Sequence, residues 1–164
     1  MAETDSVDEH VTRWREIIDD LDPTVEAVVT RMQWLVAHLR KNKERALTTH
    51  ELQLFEYQTL HSLAGFDGRA SAGELAAALR VAPATMTGRL DTLEERGFVT
   101  RGHSSTDRRR VDVELTPAGR ARWRGALDAQ GREEHRVMAP LTQRERERLA
   151  DLLRRMLLLA EHTE

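Results

Sequence analysis

Residues 70–115 read ASAGELAAALRVAPATMTGRLDTLEERGFVTRGHSSTDRRRVDVEL. Ser71 and Glu74 form an S-x-x-E capping box, which satisfies two orphan backbone donors at a helix start. Leu75, Ala76 and Leu79 give that short helix one apolar side. Val81, Ala82 and Pro83 interrupt it. Pro83 cannot continue the first helix but suits the first turn of a second. The second helix runs to about Arg96 and presents Met86, Leu90 and Leu93 at helical spacing, and Gly97 supplies a left-handed cap. Two short helices crossed at such a turn form a helix-turn-helix, whose second helix fits the DNA major groove.

The residues after Gly97 narrow the reading. Phe98 to Arg101 has the character of one strand. Val111, Val113 and Leu115 alternate with Asp112 and Glu114, the period of a half-buried second strand. Between them lies a polar loop ending in Arg108, Arg109 and Arg110. Such a charge run is either a solvated turn or a contact to phosphates or the minor groove. Its place on a hairpin directly after a helix-turn-helix favours the second. The parts make a winged helix. Thr85, Thr87 and Gly88 fall on the outward side of the second helix. There they are either neutral surface or base-edge and thymine-methyl contacts, and a groove-reading helix favours contact.

The segments MTGRLDTLEERGFVTR (86–101) and DRRRVDVELTPAGR (107–120) resemble the DNA-binding core of the MarR family of transcriptional regulators. The resemblance covers about the middle third of the chain. It combines the second helix, the D-R-R wing and the L-T-P-x-G-R exit. It implies a homodimer whose affinity for double-stranded DNA is set by a small ligand. The residues expected at DNA are Ser71, Pro83, Ala84, Thr85, Thr87, Gly88, Arg89, Asp107, Arg108, Arg109 and Arg110.

The expected fold is mainly α with a small β-hairpin wing, an α+β winged helix-turn-helix in an intertwined helical homodimer. At 164 residues the chain makes one compact domain. Residues 1–66 hold the dimerisation and ligand-pocket helices, 67–116 the DNA-binding lobe, and 117–164 the C-terminal dimerisation helices. With no cysteine, disulfide and thiol chemistry are excluded. No apolar run approaches a membrane span and no signal peptide precedes the first helix, so a cytoplasmic protein with no membrane partner is expected. The net charge of −3 is unevenly spread. Residues 1–66 carry −5, 67–124 carry +3 and 125–164 carry −1. The basic middle gives DNA one favoured face.

Residues 1–9 are acidic and read as a frayed end. Val11, Trp14, Ile17 and Ile18 then recur as a short amphipathic helix. Asp22-Pro23 starts a long one. Its stripe is Val25, Val28, Val29, Met32, Leu35, Val36 and Leu39, and residues 40–43 place cations at its end. Thr48 and Glu51 read as a capping box for the next helix, with Leu52, Phe55, Tyr57, Leu60 and Leu63 toward a core and a stop near Gly65. Residues 66–69 read as a loop. Thr116-Pro117 opens a helix that Pro140 breaks. Thr142 and Glu145 cap the last, whose stripe of Leu149, Leu152, Leu153, Met156, Leu157 and Ala160 is widened by Leu158 and Leu159. A helix apolar on more than one side needs more than one neighbour, which points to a dimer interface.

The stretch WREIIDDLDPTVEAVVTRM (14–32) resembles the extra first helix of the PecS-type, urate-responsive branch of the same family. That resemblance implies a ligand pocket with a tryptophan, two arginines and an aspartate. Trp14, Arg89 and Arg101 match the first three positions. The fourth falls at Gln58, where the branch has aspartate, and this departure points to a small anionic or aromatic acid other than urate. An anion between Arg89 and Arg101 would relieve two cations left without partners. Trp14 is otherwise core filling. Arg89 is otherwise a phosphate contact or a partner of Asp91, Glu94 or Asp107.

None of the seven histidines sits at metal-ligand spacing, though His50 and His61 could meet in space. No metal or other cofactor is expected. No Ser-His-Asp set, glycine-rich phosphate loop or carboxylate pair marks an enzyme. Three classes remain: a ligand-responsive regulator (most simply a repressor), a ligand-independent or architectural DNA binder, and a winged helix used for protein contact.

Overall fold

The computed structural model describes residues 4–103 and 111–162. In chain order these form α1 (Ser6–Arg15), α2 (Pro23–Thr49), α3 (Leu54–Gly65), β1 (Arg69–Ser71), α4 (Ala72–Ala78), α5 (Pro83–Glu95), β2 (Val99–His103), β3 (Val111–Leu115), α6 (Pro117–Met138) and α7 (Gln143–Glu161). The chain is mainly helical, with one small antiparallel sheet, and the helix-turn-helix is α4 and α5.

The enclosed core lies in the middle of the chain. Leu60 and Leu63 of α3, Leu75 of α4, Met86, Leu90 and Leu93 of α5, Val99 of β2 and Val113 of β3 are all but fully buried. Burying side chains of this kind stabilises by about 1.5–3 kcal/mol each. Leu47 of α2 and Ala126 of α6 join the cluster, so the long helices are anchored to the reading head. A side chain at Gly119 would place its Cβ 2.1 Å from the Phe98 carbonyl oxygen, so α6 can lie against the strand entry only with glycine there.

The sheet order is β1-β3-β2, and this corrects the expected two-stranded hairpin. Arg69, expected in a loop, opens β1 and pairs with Glu114, while Ser71 pairs with Asp112. The cause is Gly68 at φ +88°, which turns the chain so that its carbonyl accepts the Leu115 N–H at 2.8 Å. Strand β3 is therefore central. Asp112, expected on a solvated side, is buried and accepts from Arg69 Nη2 at 3.0 Å.

Four helix boundaries also differ from expectation. Helix α1 starts at Ser6, inside the segment read as frayed. Asp5 Oδ1 accepts from Val7 and Asp8 N–H, and Asp8 returns a carboxylate to the Asp5 N–H at 2.9 Å, so two aspartates do the work of a capping box. It ends at Arg15, which leaves Ile17 and Ile18 exposed beyond it. Helix α2 runs past the cations at 40–43 to Thr49, because Ala46 and Leu47 are buried and carry it on. Thr48 therefore caps nothing; its hydroxyl donates to the Glu44 carbonyl at 3.0 Å. The start of α3 belongs to Gln53 and Glu56, whose Oε2 accepts the Gln53 N–H at 2.7 Å.

The caps at Asp22, Ser71, Thr116 and Thr142 form as expected. Helix α7 contains no buried residue, and Leu152, Leu153, Met156, Leu157, Leu158 and Leu159 are all exposed. Val25, Val28, Val29, Leu35 and Val36 of α2 are exposed likewise.

Candidate nucleic-acid interface

Helix α5 is two-sided. Met86, Leu90 and Leu93 fix one side in the core, and Pro83, Ala84, Thr85, Thr87 and Gly88 are exposed on the other. Packing thus presents the small polar residues outward as a rigid row. The Thr87 hydroxyl donates back to the Pro83 carbonyl at 3.1 Å, which orients its methyl and leaves its lone pairs free to accept. Pro83 sits in the first turn, Ala82 offers no side-chain cap, and no acidic residue lies in that turn. The N–H groups of the first turn are therefore unneutralised, and such an end favours phosphate.

Ser71 is different. It is buried, its hydroxyl donates to Glu74 Oε2 at 2.6 Å and accepts the Glu74 N–H at 3.2 Å. It holds the start of α4 and offers little to a groove. Asp107, Arg108, Arg109 and Arg110 lie outside the described residues.

Two groups escaped the sequence reading. Arg80 sits at the turn between α4 and α5 at φ 51° and is exposed, with no ion-pair partner among the described residues. A cation inside the helix-turn-helix turn was its only signal. The second group is Glu56 with Arg96. Glu56 is 1% exposed, and both its oxygens accept from Arg96 Nη1 at 2.6 Å. Arg96 Nη2 also donates to the Glu51 carbonyl at 2.7 Å, and its guanidinium lies 4.6 Å from the Phe98 ring centre. The Gln53-x-x-Glu56 spacing could have flagged Glu56, had Thr48 not taken the cap.

The candidate ligand residues do not share one set of contacts. Trp14 is half-exposed on α1 and tilts against His10 at 6.0 Å; His10 Nε2 lies 2.7 Å from Glu26 of α2. Gln58 is partly buried on α3. Arg89 lies over the Phe55 ring at 5.8 Å. Arg101 corrects the expectation of a cation without partners. It pairs with Asp91 at 2.7 Å and with Glu94 at 2.6 Å, and its backbone N–H donates to Glu94 at 3.0 Å. The hydrogen bond from Arg101 holds the Glu94 carboxyl below its usual range, and Glu94 in turn raises the Arg101 guanidinium. Asp91 and Glu94 are thus taken by Arg101 rather than by Arg89. His50 and His61 likewise go to different neighbours. His50 lies against Gly125 of α6, while His61 stacks on Tyr57 at 5.6 Å and accepts from Trp123 Nε1 at 3.2 Å.

A two-helix reading head, a second helix with no side-chain cap and the antiparallel pair β2 and β3 have the architecture of a winged helix-turn-helix. Residues 54–111 match the MarR family. It is 27% identical over 158 residues to the HTH-type transcriptional regulator PecS of Dickeya dadantii (strain 3937), covering 95% of both chains. It is 48% identical over 56 residues to the HTH-type transcriptional repressor YetL of Bacillus subtilis (strain 168), covering 34% of each. The S. aureus MepR–DNA complex shares the fold with a TM-score of 0.65 at 21% identity, over 78% of this chain and 96% of that one. The chain is thus similar, through its middle third and at lower identity along most of its length, to DNA-binding transcriptional regulators of the MarR family.

Proposed function

We propose that this protein is a ligand-responsive repressor that binds a pseudo-palindromic operator as a homodimer. Helix α5 enters the major groove, with Thr85, Thr87 and Gly88 at base edges, and the wing arginines meet the backbone or minor groove. The observation that carries this is the division of α5 into a buried apolar side and an exposed, uncharged, small polar side that begins at an uncapped N-terminus. Arg80 joins the contact set as a phosphate partner beside that end. PecS is named a transcriptional regulator and YetL a transcriptional repressor, and MepR has been solved on DNA. A protein acting on DNA in this way would work in the cytoplasm, and no helix among the described residues is long and apolar enough to cross a membrane.

A second copy of the chain supports α7, which has no buried residue of its own, and the apolar faces of α2. Dimerisation places two α5 helices about one DNA turn apart, roughly 34–36 Å. Ligand control rests on the resemblance to the PecS-type branch. With Arg101 already neutralised by Asp91 and Glu94, an anion entering beside Trp14 and Gln58 would be held first by Arg89, drawing it off Phe55. To weaken operator binding 100-fold the ligand must favour the non-binding state by about 2.7 kcal/mol.

The test is selection of binding sites from random DNA by wild type and by Thr87→Ala. Inverted repeats one turn apart, with relaxed preference at one position per half-site in the variant, support the reading. Binding with no enriched sequence, or a variant that weakens all sequences alike, overturns it.

A further inference from the structure

Helices α2 and α6 pack side by side, and each carries a polar stripe at the same spacing where they face a shared hollow of about 410 Å³. On α2 the stripe is Asn42, Arg45, Ala46 and Thr49; on α6 it is Ala129, Arg132, Glu133 and Arg136. Both run i, i+3, i+4, i+7, the spacing that puts side chains on one helix face. Ala46 and Ala129 are too short to fill the space between the helices, which is what leaves it open. At one end His50 is seated against α6. A Cβ at Gly125 would stand 2.4 Å from its Cε1, so glycine is what allows the imidazole to lie there.

The hollow is open to solvent, and Arg45, Thr49, Arg132 and Arg136 on its walls are exposed. Glu133 is engaged by Arg136 at 2.5 Å and by His38 of α2. Arg45 and Arg132 have no carboxylate partner among the described residues, and the side chains of Asn42 and Thr49 have no hydrogen-bond partner among them. Three guanidinium groups against one carboxylate leave a surplus of two positive charges. A space of this size whose walls carry a surplus of two positive charges suits a small anion.

We propose that this hollow binds a compact dianion, a small dicarboxylate or inorganic phosphate, with Arg45 and Arg132 as its two guanidinium anchors. Arg45 approaches from α2 and Arg132 from α6, so the anion bridges the two helices. Asn42 and Thr49 donate from the α2 side, and Glu133 keeps Arg136 turned away from the bound anion. The site is separate from the Trp14–Gln58–Arg89–Arg101 group and does not rest on the proposed operator binding. An ion that ties α2 to α6 stabilises the folded chain by mass action.

The experiment is isothermal titration of succinate, citrate and inorganic phosphate into the full-length protein at constant ionic strength, with thermal unfolding beside it. Wild type, Arg45→Gln, Arg132→Gln, the double variant and Arg89→Ala are compared. The expected result is a Kd at or below about 1 mM for at least one of the three anions. Each single arginine variant weakens it about tenfold or more, the double variant abolishes it, and Arg89→Ala leaves it in place. Acetate, with one charge, binds at least about tenfold more weakly. The ranking of the dicarboxylate, tricarboxylate and phosphate arms says which source the site prefers. No binding of any of the three to wild type overturns the proposal, as does binding that survives the double variant while Arg89→Ala removes it. Should wild type show no small-anion binding while the double variant loses operator affinity with a shallower salt dependence, the groove follows the DNA backbone and the proposal fails.

Discussion

Arg96, the C-cap of α5, grips the buried carboxylate of Glu56 at the first turn of α3 through contacts of 2.6 Å. The same guanidinium holds the Glu51 carbonyl just past the end of α2 and covers Phe98 at the entry to β2. One side chain therefore sets where the second helix of the reading head stands relative to the long helix α2. Removing one member of a buried pair strands the other charge, which costs about 3–5 kcal/mol. Arg96 is one-third exposed, so Arg96→Ala should fall at or below the lower end of that range. Urea unfolding should show the loss, and a variant within about 0.5 kcal/mol of wild type would show that the pair is ornamental.

Glu133 makes a pH prediction. The hydrogen bond from Arg136, followed by that from His38, lowers its carboxyl from the ordinary 4.5 to about 2. A carboxyl lowered in the folded state contributes stability that is fully present above its unfolded value and is lost as pH falls through its folded value. The contribution therefore fades between about 4.5 and about 2. Glu133→Gln should flatten the stability profile across that window. Urea midpoints measured at pH steps check this; parallel profiles for the two proteins would refute it.

Replacing Arg108, Arg109 and Arg110 together by alanine should weaken operator binding and reduce the salt slope. If each meets one phosphate, the slope falls by roughly 2.7, since each contact contributes about 0.9. Fluorescence anisotropy over a salt series measures it, and an unchanged slope would show that these arginines stay off the DNA.

Leu153→Glu or Leu157→Glu on α7 should separate the subunits. Both side chains are exposed in a single chain, at 40% and 58%, so a lone folded chain would tolerate the charge. Light scattering should show wild type as a dimer at micromolar concentration and the variants as smaller or unfolded species. Wild type that stays monomeric and stable would end the dimer reading.

Much of this arrangement was legible in the residues. Pro83 and Gly97 bracket α5 as their backbone preferences require, and the spacing of Met86, Leu90 and Leu93 named its buried side. Asp22-Pro23, Thr116-Pro117 and Thr142 marked helix starts for the same local reason. The failures came where distant contacts decide. Thr48 had the better local capping pattern, yet burial of Ala46 and Leu47 carried α2 through it. Asp112 alternated like a solvated residue, and only the arrival of β1 made its strand central. Asp91 and Glu94 satisfy Arg101 across seven to ten residues of chain, a pairing that no short motif announces.

Thr116 donates its hydroxyl to the Gly97 carbonyl at 2.7 Å and its N–H to the Phe98 carbonyl at 3.1 Å, and Gly119 is pressed onto the same Phe98 carbonyl. Entry and exit of the strand pair are thereby fastened at one place, independent of what lies between His103 and Val111. Lengthening a loop already closed at its base costs little, about 0.6 kcal/mol for each doubling. The tip is thus an exchangeable cassette. Wings of other lengths and charges can be grafted there, or sampled in evolution, without renegotiating the core that aims α5.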